Sequence, residues 1–131
     1  MGDINGRTLP GPSVATGPGR GRAVNVDVCV LTRDLMFYTA VEGVTGAMGD
    51  RARQAESLDE IGGPDLLVAD LASMGVEIAA LVAAFDAMRT VIFTPHVRAE
   101  VFTAARANGI ARVYRRGALA TELPRLLAEY G

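Results

Sequence analysis

The sequence predicts an α/β domain, a five-stranded parallel sheet in the order 2-1-3-4-5 held between helices as a three-layer sandwich. Short apolar runs rich in β-branched residues alternate with helical stretches, the pattern of a parallel sheet covered on both faces. The 131 residues, half of them apolar, can bury one real core and leave no room for a second domain. Right-handed crossovers between parallel strands then favour that strand order.

Residues 1–22 carry six Gly, three Pro and scattered arginines without apolar periodicity, so a flexible tail is expected ahead of a domain spanning residues 23–131. Gly17, Gly19 and Gly21 do not make a phosphate loop, because no strand precedes them and no Gly-Lys-Ser/Thr follows. Residues 26–31 read as the first strand, with the single cysteine, Cys29, as a small buried thiol. A helix over 35–48 places Val41, Val44 and Met48 on one face. The more polar stretch 51–55 suits an edge strand, and Gly62, Gly63 and Pro64 stop a short segment over 57–61.

Residues 66–70 form the next strand. The spacing of Leu81, Phe85 and Met88 then predicts one helix over 76–88 with those three side chains inward. After a strand at 90–94, a helix over 98–108 ends at Gly109, a natural left-handed cap. The last strand covers 112–115, and Leu119, Leu123, Leu126 and Leu127 line the final helix.

Charge and motifs narrow the function. A net charge of −2 without a basic stripe argues against nucleic-acid binding. All thirteen basic residues are arginine, which excludes any mechanism that needs a lysine amine. No stretch approaches the ~18 apolar residues of a membrane span, and no secretory signal opens the chain, so a cytoplasmic protein is expected. No Ser-His-Asp order, nucleophile elbow, dinucleotide fingerprint or Cys-x-x-Cys is present, so neither catalysis nor a cofactor is expected.

In sheets of this kind function sits outside the carboxyl ends of the strands. Those ends hold Thr32, Arg33 and Asp34 after the first long strand, Asp70 after the third, Thr94, Pro95 and His96 after the fourth, and Arg115 and Arg116 after the fifth. Asp70 in LLVADLA, Thr94 in VIFT and the run GIARVYRRGALATELPRLL resemble, in order, the acceptor strand, the hydroxyl strand and the basic fifth strand of response-regulator receiver domains. The interval of 22 residues from Thr94 to Arg116 suits that family, and the resemblance covers about residues 24–129.

The resemblance implies a flavodoxin-like fold, with Asp70 at the phosphoacceptor position and Thr32, Arg33, Asp34, Thr94 and Arg116 at the surrounding receiver-site positions. It also exposes departures. Receivers bind magnesium through an acidic pair after strand one, where this sequence has Thr32 and Arg33 with Asp34 beyond; an arginine there opposes a divalent cation. Arg116 stands at the lysine position, although a planar fixed-charge fork does not replace an ammonium. The loop after the acceptor is the short ASMGVE. The turn and aromatic helix start TRDLMFY, with TPHV after strand four, are similar to degenerate receivers, so a pseudo-receiver with no bound metal is expected.

On that reading Asp70 is a static partner of Arg33 and Arg116, its other possible roles being a retained acceptor or a cap for the next turn. Thr94 either satisfies backbone groups or touches a ligand. His96 is either a loop residue bonded to backbone or a pH- or ligand-sensing group. Arg112, Tyr114 and Arg115 form a cluster that is either a solvated face or, by the resemblance, part of a partner surface made with the helices over 98–108 and 119–127. That surface suits a protein partner, a second copy of the chain included. Two other readings stay open: an anion or nucleotide pocket gripped by Arg33, Arg116 and His96, and a working receiver using Asp34 and Asp70 for metal.

Overall fold

The computed structural model describes residues 25–130; the expected tail over residues 1–22 lies outside the described residues. Five strands, β1 (Asp27–Leu31), β2 (Arg51–Ala55), β3 (Leu66–Asp70), β4 (Thr90–Thr94) and β5 (Arg112–Arg115), form one parallel sheet in the order β2-β1-β3-β4-β5. The helices are α1 (Leu35–Ala47), α2 (Leu71–Met74), α3 (Ile78–Ala84), α4 (Ala99–Ala107) and α5 (Leu119–Tyr130). The strand order and the edge position of the polar 51–55 stretch match expectation.

Side-chain alternation along the central strands divides the core in two. Val28, Val30, Val68, Val91 and Phe93 face α1 and α5, where Phe37, Val41, Leu119, Leu123, Leu126 and Leu127 cover them. Cys29, Leu31, Leu67, Ala69 and Ile92 face the other way, beneath Ile78, Leu81, Phe85 and Ala105. Strands β3 and β4 are therefore buried along their whole length, as an apolar run in a doubly covered sheet must be. The two edge strands carry the polar load, with Arg51 and Arg53 on β2 and Arg112 and Arg115 on β5.

The helix expected over 76–88 is shorter, and this corrects the periodicity reading. Leu71–Met74 forms a separate turn that ends at Gly75, whose φ of 65° suits a residue without Cβ. Helix α3 stops at Ala84, Phe85 turns extended, and the Asp86 carboxylate accepts the Met88 N–H to start a 3₁₀ turn over Ala87–Arg89. The break shifts the helical phase, so Leu81 and Phe85 are buried as expected while Met88 is 78 % exposed. Gly109 follows α4 at φ 85°, the left-handed cap that the sequence implied.

Candidate functional site

The three central strands deliver their last residues to one rim, and there a single carboxylate is enclosed. Asp70 ends β3 with no exposed surface. Its Oδ2 accepts a hydrogen bond from the Thr32 hydroxyl at 2.7 Å and another from Arg116 Nη2 at 2.5 Å. The second guanidinium nitrogen, Nη1, bonds Asp34 Oδ2 at 3.0 Å, so one arginine bridges both carboxylates. Beneath it the Phe37 ring lies 4.8 Å from the guanidinium carbon, a cation–π contact that fixes the plane of the fork.

Local chemistry holds each partner in place. Asp34 is the N-cap of α1, its Oδ1 accepting the N–H groups of Met36 and Phe37, so capping and ion pairing use different oxygens of one side chain. The Thr32 hydroxyl also accepts the Asp34 N–H at 3.0 Å. Because a hydroxyl has one proton and Thr32 gives it to Asp70, the 3.1 Å contact between Thr32 and Ser73 is donated by Ser73. Ser73 in turn accepts the Arg33 N–H at 3.0 Å. The polar relay from Arg33 N–H through Ser73 and Thr32 therefore ends on Asp70.

The electrostatics follow this geometry. Burial pushes the Asp70 carboxyl up, but hydrogen bonds from Arg116 and Thr32, with Ser73 behind them, more than offset it and hold the group below its ordinary range. Asp34 is also lowered, first by the Phe37 N–H and then by Arg116. Arg116 is raised, chiefly by its bond to Asp70. Among the described residues, Asp70 Oδ1 and Arg116 Nε are buried without a hydrogen-bond partner. Together these contacts describe a buried, charge-paired carboxylate.

The remaining expected site residues fall elsewhere. Arg33 is exposed, and its guanidinium makes no bond to Asp70, correcting the expectation of two arginines on that carboxylate. Side chains alternate along an extended chain, so Thr32 and Asp34 face the site and Arg33 faces water. Asp70 is formally the N-cap of α2, yet its side chain bonds no α2 N–H, which removes the cap reading. The Thr94 hydroxyl donates to the His96 carbonyl at 3.4 Å, a contact with backbone. His96 is exposed in the β4–α4 loop, beside a shallow cavity of about 290 Å³ shared with Pro95, Arg98 and Val101.

An anion grip by Arg33, Arg116 and His96 does not assemble, because Arg116 is doubly paired and the other two side chains point to solvent. The divalent-cation site of receivers does not fit these residues either. The guanidinium lies between the Asp34 and Asp70 carboxylates, and among the described residues no group of three or more His, Cys, Asp or Glu could hold a metal ion. Arg112 bonds Glu129 at 2.9 Å and the Met88 carbonyl at 3.5 Å, Tyr114 is half-buried against Phe93 with ring centroids 5.7 Å apart, and Arg115 is exposed.

Known structures match this arrangement of strands and helices. A response regulator from Thermotoga maritima superposes with a TM-score of 0.65 at 13 % identity, covering 82 % of this chain and 98 % of that one. The chain has the fold of a response-regulator receiver domain. The signal receiver domain of the putative response regulator NarL from Mycobacterium tuberculosis matches at TM-score 0.65 and 19 % identity, covering 80 % of this chain and 94 % of that one. A response regulator from Burkholderia pseudomallei, solved with a phosphorylated aspartic acid, calcium ion and citrate, matches at TM-score 0.65 and 17 % identity, covering 79 % of this chain and 66 % of that one. No sequence-family model matches this receiver-like chain, and no curated protein sequence does.

Ser73 escaped the sequence reading, since a lone serine in the single turn of α2 carries no periodic signal. Phe37 was visible only as part of an aromatic helix start. Its role under Arg116 depends on α1 and the β5–α5 corner meeting, which is a tertiary fact.

Proposed function

We propose that this chain is a pseudo-receiver, a non-enzymatic signalling domain of the cytoplasm that binds a protein partner and is not switched by phosphorylation of Asp70. One observation carries the reading: Arg116 spans Asp70 and Asp34. Phosphoryl transfer to a carboxylate needs a cation bridging the phosphoryl oxygens. Here Arg116 and Thr32 hold one oxygen of Asp70, and Arg116 also neutralises the carboxylate that would help hold a metal.

The receiver fold supports a signalling role. The surface of α4, β5 and α5 is the proposed partner face, a protein being a better fit than nucleic acid at a net charge of −2. Phe102 is 41 % exposed there, with the Arg106 guanidinium 5.3 Å from its ring, and Arg115 is exposed and suited to meet an acidic partner. Arg112 is spent on Glu129 and contributes less.

The test is direct. Acetyl phosphate with magnesium should leave the intact mass unchanged, and beryllofluoride with magnesium should leave the amide spectrum around Asp70 where it was. A phosphoryl adduct on Asp70, or a saturable shift at Thr32, Ser73 and Arg116, would refute the reading.

A further inference from the structure

We propose that two copies of this chain associate end to end through the carboxyl end of the sheet, the corner formed by Arg33, Leu35 and Met36 of each copy seating in an acid-rimmed groove of the other.

The corner is the most conspicuous apolar projection among the described residues. Leu35 is 65 % exposed and Met36 is 83 % exposed, side by side in the first turn of α1. Helix α1 turns Phe37, Val41 and Thr45 inward, which leaves these two neighbours on the solvent side. The corner is also rigid. Asp34 caps the helix and is held by Arg116, while Ser73 fixes the Arg33 N–H. A pre-ordered knob gives up little conformational freedom when it docks. Arg33 adds one exposed positive charge at its base.

A groove of matching character opens between α3 and α4, with a volume of about 320 Å³. Leu71, Val76, Ile78 and Val101 supply apolar wall, and Glu77 and Glu100, both exposed, supply the charge. Among the described residues, no basic residue lines it. The space suits aliphatic side chains, and methionine adapts well to such irregular apolar surface. An arginine beside leucine and methionine therefore complements this groove in both charge and polarity.

Position makes the pairing reciprocal. Helices α1, α3 and α4 each follow a parallel strand, so the corner and the upper groove lie at the same end of the sheet. They belong to opposite helical layers, α1 on one face and α3 with α4 on the other. A two-fold axis through that end brings each corner to the other copy's groove, so every contact forms twice, as a closed dimer requires. The strand ends that carry Asp70 would then lie inside the interface.

Light scattering coupled to gel filtration, or sedimentation velocity, on the full chain tests this over rising concentration and salt. The expected result is a monomer–dimer equilibrium weakened by salt. Met36→Asp and Glu100→Arg should each raise the dimer Kd at least about tenfold. Arg33→Glu combined with Glu77→Arg should recover much of what either change loses alone, with far-UV circular dichroism confirming that each variant is folded. A chain that stays monomeric up to about 1 mM would overturn the proposal. So would a dimer indifferent to Met36→Asp, or one that Arg115→Glu and Phe102→Ala dissolve while the corner and groove variants leave it intact. Neither outcome touches the phosphoryl-mimic test, so this association and the pseudo-receiver reading stand or fall separately.

Discussion

Replacing Arg116 with methionine tests what the bridge does, because an aliphatic stem is kept while the guanidinium that spans the two carboxylates and lies over Phe37 is lost. Asp70 has no exposed surface, so the variant leaves a buried carboxylate with the Thr32 hydroxyl and no counter-charge. Breaking a buried pair from one side costs about 3–5 kcal/mol. The Arg116 side chain is 29 % exposed and water can partly replace it, which brings the cost to or just below the bottom of that range, about 2–3 kcal/mol at neutral pH. For a domain of this size that lowers Tm by roughly 10 °C or more.

The pH dependence fixes the mechanism. In the native chain the Asp70 carboxyl is held below its ordinary value, so its stabilisation is complete above the unfolded pKa and is lost as pH falls through the folded one. In the variant burial still raises the group and its main opposing partner is gone, so its folded pKa moves above the unfolded value. The destabilisation is then greatest at neutral pH and eases on acidification, as Asp70 takes up a proton in the folded state. Urea unfolding at neutral pH and near pH 5 measures both. The double variant Asp70→Asn with Arg116→Met should recover most of the loss, since neither charge remains buried alone. An Arg116→Met penalty that is absent, or identical at both pH values, would refute the ion-pair account.

Three further outcomes are expected. Thr32→Val should cost about 1–2 kcal/mol in urea unfolding, because it removes a buried bond to a charged group and the hydroxyl that accepts the Asp34 N–H. Gly109→Ala should cost about 1–2 kcal/mol by thermal unfolding, since a φ of 85° is unfavourable for any residue with a Cβ. Cys29 is fully buried with its thiol pushed up, first by burial, so a disulfide reagent should label it only in denaturant; rapid labelling of the native chain would show that β1 opens.

The sheet could be read from the sequence because its strands are short β-branched runs whose burial on both faces leaves little ambiguity. The Asp70–Arg116 pair was legible for a related reason: both follow identifiable strands, and strand order alone brings their ends together. Arg33 was placed on the wrong side because proximity in sequence was weighed above alternation, which sends Thr32 and Asp34 one way and Arg33 the other. The helix over 76–88 was misjudged where Asp86 offered the backbone a local bond that competes with the helical one. The groove between α3 and α4 is lined from both sides of the turn at Gly75, which leaves no periodic mark.

The arginines on the two outermost strands limit how this molecule can meet others. A bare strand margin offers unsatisfied amides to any passing extended segment, and bulky guanidinium groups at positions 51 and 53 on one side and 112 and 115 on the other discourage such lateral growth. Recognition is thereby steered away from strand addition toward docking on helices and the turns between them, and a concentrated solution of this chain is guarded against fibrous self-templating.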